Sequence, residues 1–152
     1  MTAKKEAIIK ALRPYFQITE LVCPDVYKKF NERAWQFLDT DALHVLLVLR
    51  ESILCRPMYI NNYGRGITQR GLRCNRCQLV KEKATVYLTQ HGFGKAWDFT
   101  VEGMTAEQAR QKIIAEQNKL PCPVRLERDK TWVHIDTLEQ FGVTDKVYLF
   151  NG

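Results

Sequence analysis

Three side chains able to hold a metal, and a fourth able to move a proton, mark the later part of this chain. The stretch Thr89-Gln90-His91-Gly92-Phe93-Gly94-Lys95-Ala96-Trp97-Asp98 sets an imidazole and a carboxylate seven positions apart, with two glycines between them. Further on, Glu127-Arg128-Asp129-Lys130-Thr131-Trp132-Val133-His134 supplies another carboxylate and another imidazole. His91, Asp98 and His134 make an N/N/O set of three ligands, of the sort a catalytic zinc uses while keeping its fourth position for water. Glu127 is then free to handle protons.

These residues need elements to hold them in place. Lys95–Val101 reads as a strand, with Ala96, Asp98 and Thr100 on one face and Trp97, Phe99 and Val101 on the other. A ligand carboxylate is thereby backed by aromatic side chains in the core. Residues 124–127 and 132–135 read as a hairpin around Arg128–Thr131. Its period of two sends Val124, Leu126, Val133 and Ile135 inward, and puts Arg125, Glu127, Trp132 and His134 on the polar side. Thr85–Leu88 reads as a further strand, delivering Thr89 and His91 to its end. Gly92 and Gly94 allow the turn that brings His91 back towards Asp98.

The remaining elements follow from the same rules. Residues 2–13 form an amphipathic helix stopped by Pro14, with Ile8, Ile9 and Leu12 on its buried face. Pro24 opens a helix from about Asp25 to Leu38, striped by Val26, Phe30, Ala34 and Phe37. Asp39 or Thr40 caps a third helix to about Ile53, apolar nearly all round at Val45–Leu49, which places it in mid-core. His44 on this helix reads as a core or rim histidine, not as a ligand. Pro57–Asn62 looks like the first strand. The Tyr63–Arg73 segment, with Gly64, Gly66, Gly71, Arg65, Arg70 and Arg73, reads as a basic loop. Thr105-Ala-Glu-Gln108 is a capping box opening a helix to about Asn118, and Lys146–Phe150 is a closing strand. The fold class is α+β: N-terminal helices packed on a small, mainly antiparallel sheet whose cleft holds the metal, in one domain over 1–152.

The two motifs, [ST]-x-H-x-x-G-x-A-x-D followed by E-x-x-x-x-W-x-H, resemble those of the zinc peptidases with the Hedgehog/D-Ala-D-Ala-peptidase fold. Thr89, His91, Gly94, Ala96 and Asp98 fit the first motif; Glu127, Trp132 and His134 fit the second. The resemblance extends upstream through Tyr59–Asn62 and Gly71–Cys74, covering roughly Phe16 to Thr137. It implies a peptidase cutting peptidoglycan stem peptides, either a D,D-carboxypeptidase or an endolysin-type endopeptidase. It also implies one catalytic Zn2+ on His91, Asp98 and His134, with Glu127 as general base and Arg73, with Arg70 and Arg76 as nearby alternatives, binding substrate or steadying the oxyanion. Thr89 stands where that family commonly has Ser, keeping a hydroxyl at the substrate cleft. Trp132 either walls the substrate or fills the core. Lys95 and Trp97 are bulky neighbours of Ala96 that would reshape the cleft wall.

At 152 residues the chain fits one domain with a sizeable core, and 45% hydrophobic with 26% charged residues is a globular composition. The net charge of +6 suits polyanionic company: nucleic acid, acidic lipid or an anionic wall polymer. No nucleic-acid-binding motif accompanies it, so a basic nucleic-acid-binding protein is the least favoured alternative, behind a non-catalytic zinc-containing module of the same fold. No apolar stretch is long enough to span a bilayer, and residues 1–10 do not read as a signal peptide. The expectation is a monomer made in the cytoplasm, acting on the wall after release. Five cysteines without an export signal favour reduced thiols. Cys74-Asn-Arg-Cys77 could be half of a structural zinc site, completed by Cys23, Cys55 or Cys122, although buried thiols are the default.

Overall fold

The computed structural model describes residues 1–152 as a mixed α+β fold, with helices preceding a five-stranded mixed sheet. Helix α1 (Ala3–Leu12) starts where the Thr2 hydroxyl accepts the Lys5 N–H, and it buries Ile8, Ile9 and Leu12. The Phe16–Cys23 segment contains one short helix, α2 (Ile18–Leu21), opened by the Glu20 carboxylate accepting the Gln17 N–H at 2.8 Å. Helix α3 (Pro24–Phe30) is shorter than the spacing predicts. Asn31 turns to φ 48°, and the chain continues as a tighter helix over Asn31–Phe37. The break rotates the stripe, so that Ala34 and Trp35 are buried while Phe37 stays at the surface against the Phe30 ring.

Helix α4 (Thr40–Val48) runs through mid-core as expected, capped by the Asp39 carboxylate and widening into a π-type turn over Leu49–Ile53. His44 is half-buried on it, away from the other two histidines' cleft. Strand β1 (Met58–Tyr59) is only two residues long. Strand β2 (Ala96–Val101) follows after the short helix α5 (Gln78–Lys81). Helix α6 (Ala106–Ala115) carries the Thr105/Gln108 capping box and buries Ala109, Arg110 and Ile113. Strands β3 (Val124–Glu127), β4 (Val133–Asp136) and β5 (Val147–Phe150) complete the sheet, in the order β1-β2-β4-β3-β5.

One expected strand does not form. Thr85–Leu88 is an irregular loop, with Val86 88% and Leu88 75% exposed. The strand that follows it, β2, offers it no edge. One side of β2 is taken by β4, and the other by β1 and by the Arg70 carbonyl, which accepts the Asp98 N–H. β5 closes the sheet but pairs parallel with β3, leaving the other ladders antiparallel. β2 already covers the other side of β4, and the returning chain takes the outer edge of β3, running in the same direction as that strand. Beneath the sheet, Trp97, Phe99, Leu126, Val133 and Ile135 are all at most 1% exposed. The Trp97 indole N–H donates to the Ala42 carbonyl at 2.8 Å, tying β2 to α4. No helix is long and apolar enough to cross a membrane.

Candidate metal centre

Pairing of β2 with β4 sets Asp98 directly opposite His134, on the face turned away from the core. Strand period two therefore brings together residues 36 apart in sequence, and the His134 Nδ1 lies 2.6 Å from Asp98 Oδ1. His91 reaches the same carboxylate from a turn, its Nε2 standing 3.2 Å from Asp98 Oδ2. The Thr89 hydroxyl accepts the His91 N–H at 3.1 Å, and the Phe93 N–H donates to the Thr89 carbonyl. Gly94 makes this turn possible. It sits at φ 68°, and a Cβ there would stand 2.5 Å from the Phe37 carbonyl oxygen. His91, Asp98 and His134 thus present one donor atom each, all within 4.8 Å of one another.

The outer nitrogens of both imidazoles are committed. His91 Nδ1 lies 2.9 Å from the Gly71 carbonyl oxygen, which can only accept, so this nitrogen carries hydrogen and Nε2 is the one turned to the metal position. His134 Nε2 lies 2.9 Å from Asp136 Oδ2, which leaves Nδ1 as the inward donor. Asp136 is itself fixed: Arg125 grips both its oxygens at 2.8 Å, and the Leu138 N–H donates to it at 3.0 Å. Ligand identity, ligand number and outer-shell partners all suit a divalent cation on two imidazoles and a carboxylate. Gly71 belongs to this frame because any Cβ would meet the Leu21 carbonyl oxygen at 2.2 Å.

The charges are correlated. Burial opposes the Asp98 charge, but hydrogen bonds and charge from His134 and His91 outweigh it and hold the carboxyl well below the usual range. Burial likewise opposes protonation of His134. Its bonds to Asp136 and Asp98 win, and its pKa is raised to about 9. Without a metal, a proton on Nδ1 thus bridges His134 to Asp98, and a metal must displace it.

The other expected site residues surround this centre. Arg73 is the arginine that reaches it, with Nη2 at 3.1 Å from Asp98 Oδ2, Nε on the Gln69 carbonyl and its own N–H on the His91 carbonyl. Arg76 instead faces Asp25, and Arg70 contributes its backbone. Glu127 lines the same cleft, of about 430 Å³, with Oε1 at 3.2 Å from Lys130 Nζ. Trp132 is half-buried and lines the cleft rather than the core; Thr89 also lines it, its hydroxyl engaged by the His91 turn. The buried Arg110 guanidinium donates to the Trp132 and Lys130 carbonyls, so α6 braces the β3–β4 turn.

Sequence reasoning missed Asp136 and Phe150. Asp136 is two residues beyond His134 on one strand, so period two alone would have put it on the cleft face. Phe150 arrives through the parallel pairing of β5, with its ring edge-on to His134 at 5.8 Å and under the Arg125 guanidinium at 4.4 Å. No protein-family model matches the chain, and no curated protein or solved structure matches it either.

Proposed function

We propose that the chain is a zinc-dependent peptidase of the Hedgehog/D-Ala-D-Ala-peptidase kind, hydrolysing peptide bonds in peptidoglycan stem peptides. The observation that carries this reading is the donor set itself. Two imidazoles with committed outer nitrogens converge on one carboxylate at the floor of a cleft that also holds a spare carboxylate, Glu127. His91, Asp98 and His134 would hold the ion. Zinc, when bound, supplies Lewis acidity towards a carbonyl and acidifies water.

The chain's own residues do the rest. Glu127 accepts a proton from the attacking water and passes it to the leaving amine. The Arg73 guanidinium, next to Asp98, supplies N–H donors for the oxyanion of the tetrahedral intermediate. Asp136 keeps His134 in the tautomer with a free Nδ1, and the Gly71 carbonyl does the same for His91 Nε2. Trp132 and Phe150 offer apolar walls, while Arg73 and Lys130 suit the carboxylates of a stem peptide.

The test is digestion of purified muropeptides followed by mass spectrometry of the products. Zinc-loaded protein should release fragments, chelator-treated protein should not, and added zinc should restore the activity. A zinc-loaded protein that binds muropeptides but releases nothing is a binding module instead.

A further inference from the structure

We propose that Cys23, Cys74 and Cys77 form a second metal site, a three-thiolate clasp for zinc or another thiophilic divalent ion, separate from the histidine centre. The sequence offers only Cys74 and Cys77 as a local pair; the fold supplies the third thiol. Val22 and Leu72 pair as a parallel bridge, the Leu72 N–H donates to the Leu21 carbonyl, and the Cys23 N–H donates to the Leu72 carbonyl. This short ladder lays Cys23, just ahead of α3, beside the start of the Cys74–Cys77 turn. All three sulfurs lie within 4.8 Å of one another, and Cys74 Sγ to Cys77 Sγ is 4.0 Å. Zinc–sulfur bonds of about 2.3 Å in a tetrahedron need sulfurs roughly 3.8 Å apart, so the thiols need move only by tenths of an ångström to about an ångström.

Two further observations distinguish a ligand cluster from thiols serving as small hydrophobes. The Arg76 N–H points at Cys74 Sγ at 3.4 Å, and the Cys77 N–H closes the turn on the Cys74 carbonyl at 3.1 Å. An N–H directed at sulfur gives a ligating Cys74 an outer-shell partner. Cys74 is also half-buried and lines an open pocket with Asp25, Lys28 and Arg76, which gives an ion a way in and leaves room for a fourth, solvent-side ligand. Cys55 and Cys122 lie outside the cluster. Binding at the clasp would join the Cys23 segment to the loop one residue beyond Arg73. That loop's position would then no longer rest on the backbone ladder alone.

The experiment is a Co2+ titration of the reduced, metal-stripped protein, followed by thiolate-to-metal charge-transfer absorption in the near ultraviolet, together with thiol counting. The proposal expects a band saturating at one equivalent in His134→Ala, and by two equivalents in the wild type, whose histidine centre also takes cobalt. It expects loss of the band in Cys74→Ser and retention in Cys55→Ser. With zinc bound, a thiol reagent should spare the half-buried Cys74, which should react once the native protein is chelated; the buried Cys23 and Cys77 react only after denaturation. The wild-type band and thiol count need no variant to fold. Absence of the band in reduced wild type, or Cys74 modified as fast with zinc bound as after chelation, would overturn the clasp. So would a Cys74–Cys77 disulfide in protein purified without added oxidant. Loss of the band in His134→Ala would also overturn it, by assigning the absorption to the histidine centre.

Discussion

Asp136→Asn should weaken metal binding at the histidine centre without removing any ligand. Asp136 is 1% exposed and accepts four bonds, two from Arg125 at 2.8 Å, one from the Leu138 N–H at 3.0 Å and one from His134 Nε2 at 2.9 Å. Asparagine keeps the volume, but its NH2 cannot accept from either Arg125 or His134. His134 then loses the partner that fixes its tautomer and raises its basicity, which typically lowers metal affinity about 10- to 100-fold. That corresponds to roughly 1.4–2.7 kcal/mol. Stability should fall as well. Removing one partner of a buried ion pair costs about 3–5 kcal/mol, and the lower end applies because Arg125 can turn partly to water beside Phe150. Zinc competition against a chromophoric chelator, in a Cys74→Ser background so that the thiols do not contribute, reads the first effect. Urea denaturation of the metal-free protein reads the second. A folded Asp136→Asn protein with zinc affinity within about twofold of its parent would refute the tautomer argument.

Three other outcomes follow from the geometry. The metal-free protein should lose stability with rising pH. His134 has a folded pKa of about 9 against an ordinary 6.5, so its contribution is complete below about 6.5 and disappears as pH rises through about 9. Thermal midpoints across that range should fall, and zinc affinity should rise as the proton leaves; a flat midpoint would contradict the bridging proton. Gly71→Ala should destabilise by about 1–3 kcal/mol, because its Cβ would meet the Leu21 carbonyl oxygen at 2.2 Å, and a calorimetric midpoint equal to wild type would count against that close approach. Arg73→Ala should retain zinc while turnover of muropeptides drops by about 10²–10³, as expected for a lost oxyanion donor; unchanged turnover would remove Arg73 from the mechanism.

The parts of this molecule governed by local rules could be read from the sequence. The capping box at Thr105 and Gln108 starts α6, and period two correctly separates Leu126 and Ile135 from Glu127 and His134. Alternation along β2 likewise turns Asp98 to the face opposite Trp97 and Phe99. Where neighbours decide, reading failed. Thr85–Leu88 has the composition of a strand but meets a β2 with both sides occupied, and the parallel pairing of β5 goes with β2 having taken the far side of β4. The apolar stripe from Val26 to Phe37 looks continuous, yet Asn31 at φ 48° breaks it. The convergence of His91, Asp98 and His134 depends on the β2–β4 register and the Gly94 turn, neither of which spacing alone specifies. Gly71 as the partner of His91 Nδ1 had no signal in the sequence, and the choice of Cys23 over Cys55 and Cys122 as the neighbour of Cys74 comes from the backbone ladder at Leu72.

The most direct measurement on the proposed peptidase is muropeptide turnover by zinc-loaded Glu127→Gln, with site metal measured on the same sample. Glutamine preserves the shape of a residue that lines the cleft but is not assigned as a ligand. The account predicts full zinc occupancy of the histidine centre and a fall in turnover of about a hundredfold or more, the usual contribution of a positioned general base. Equal turnover by Glu127→Gln and wild type, with zinc bound in both, would contradict it.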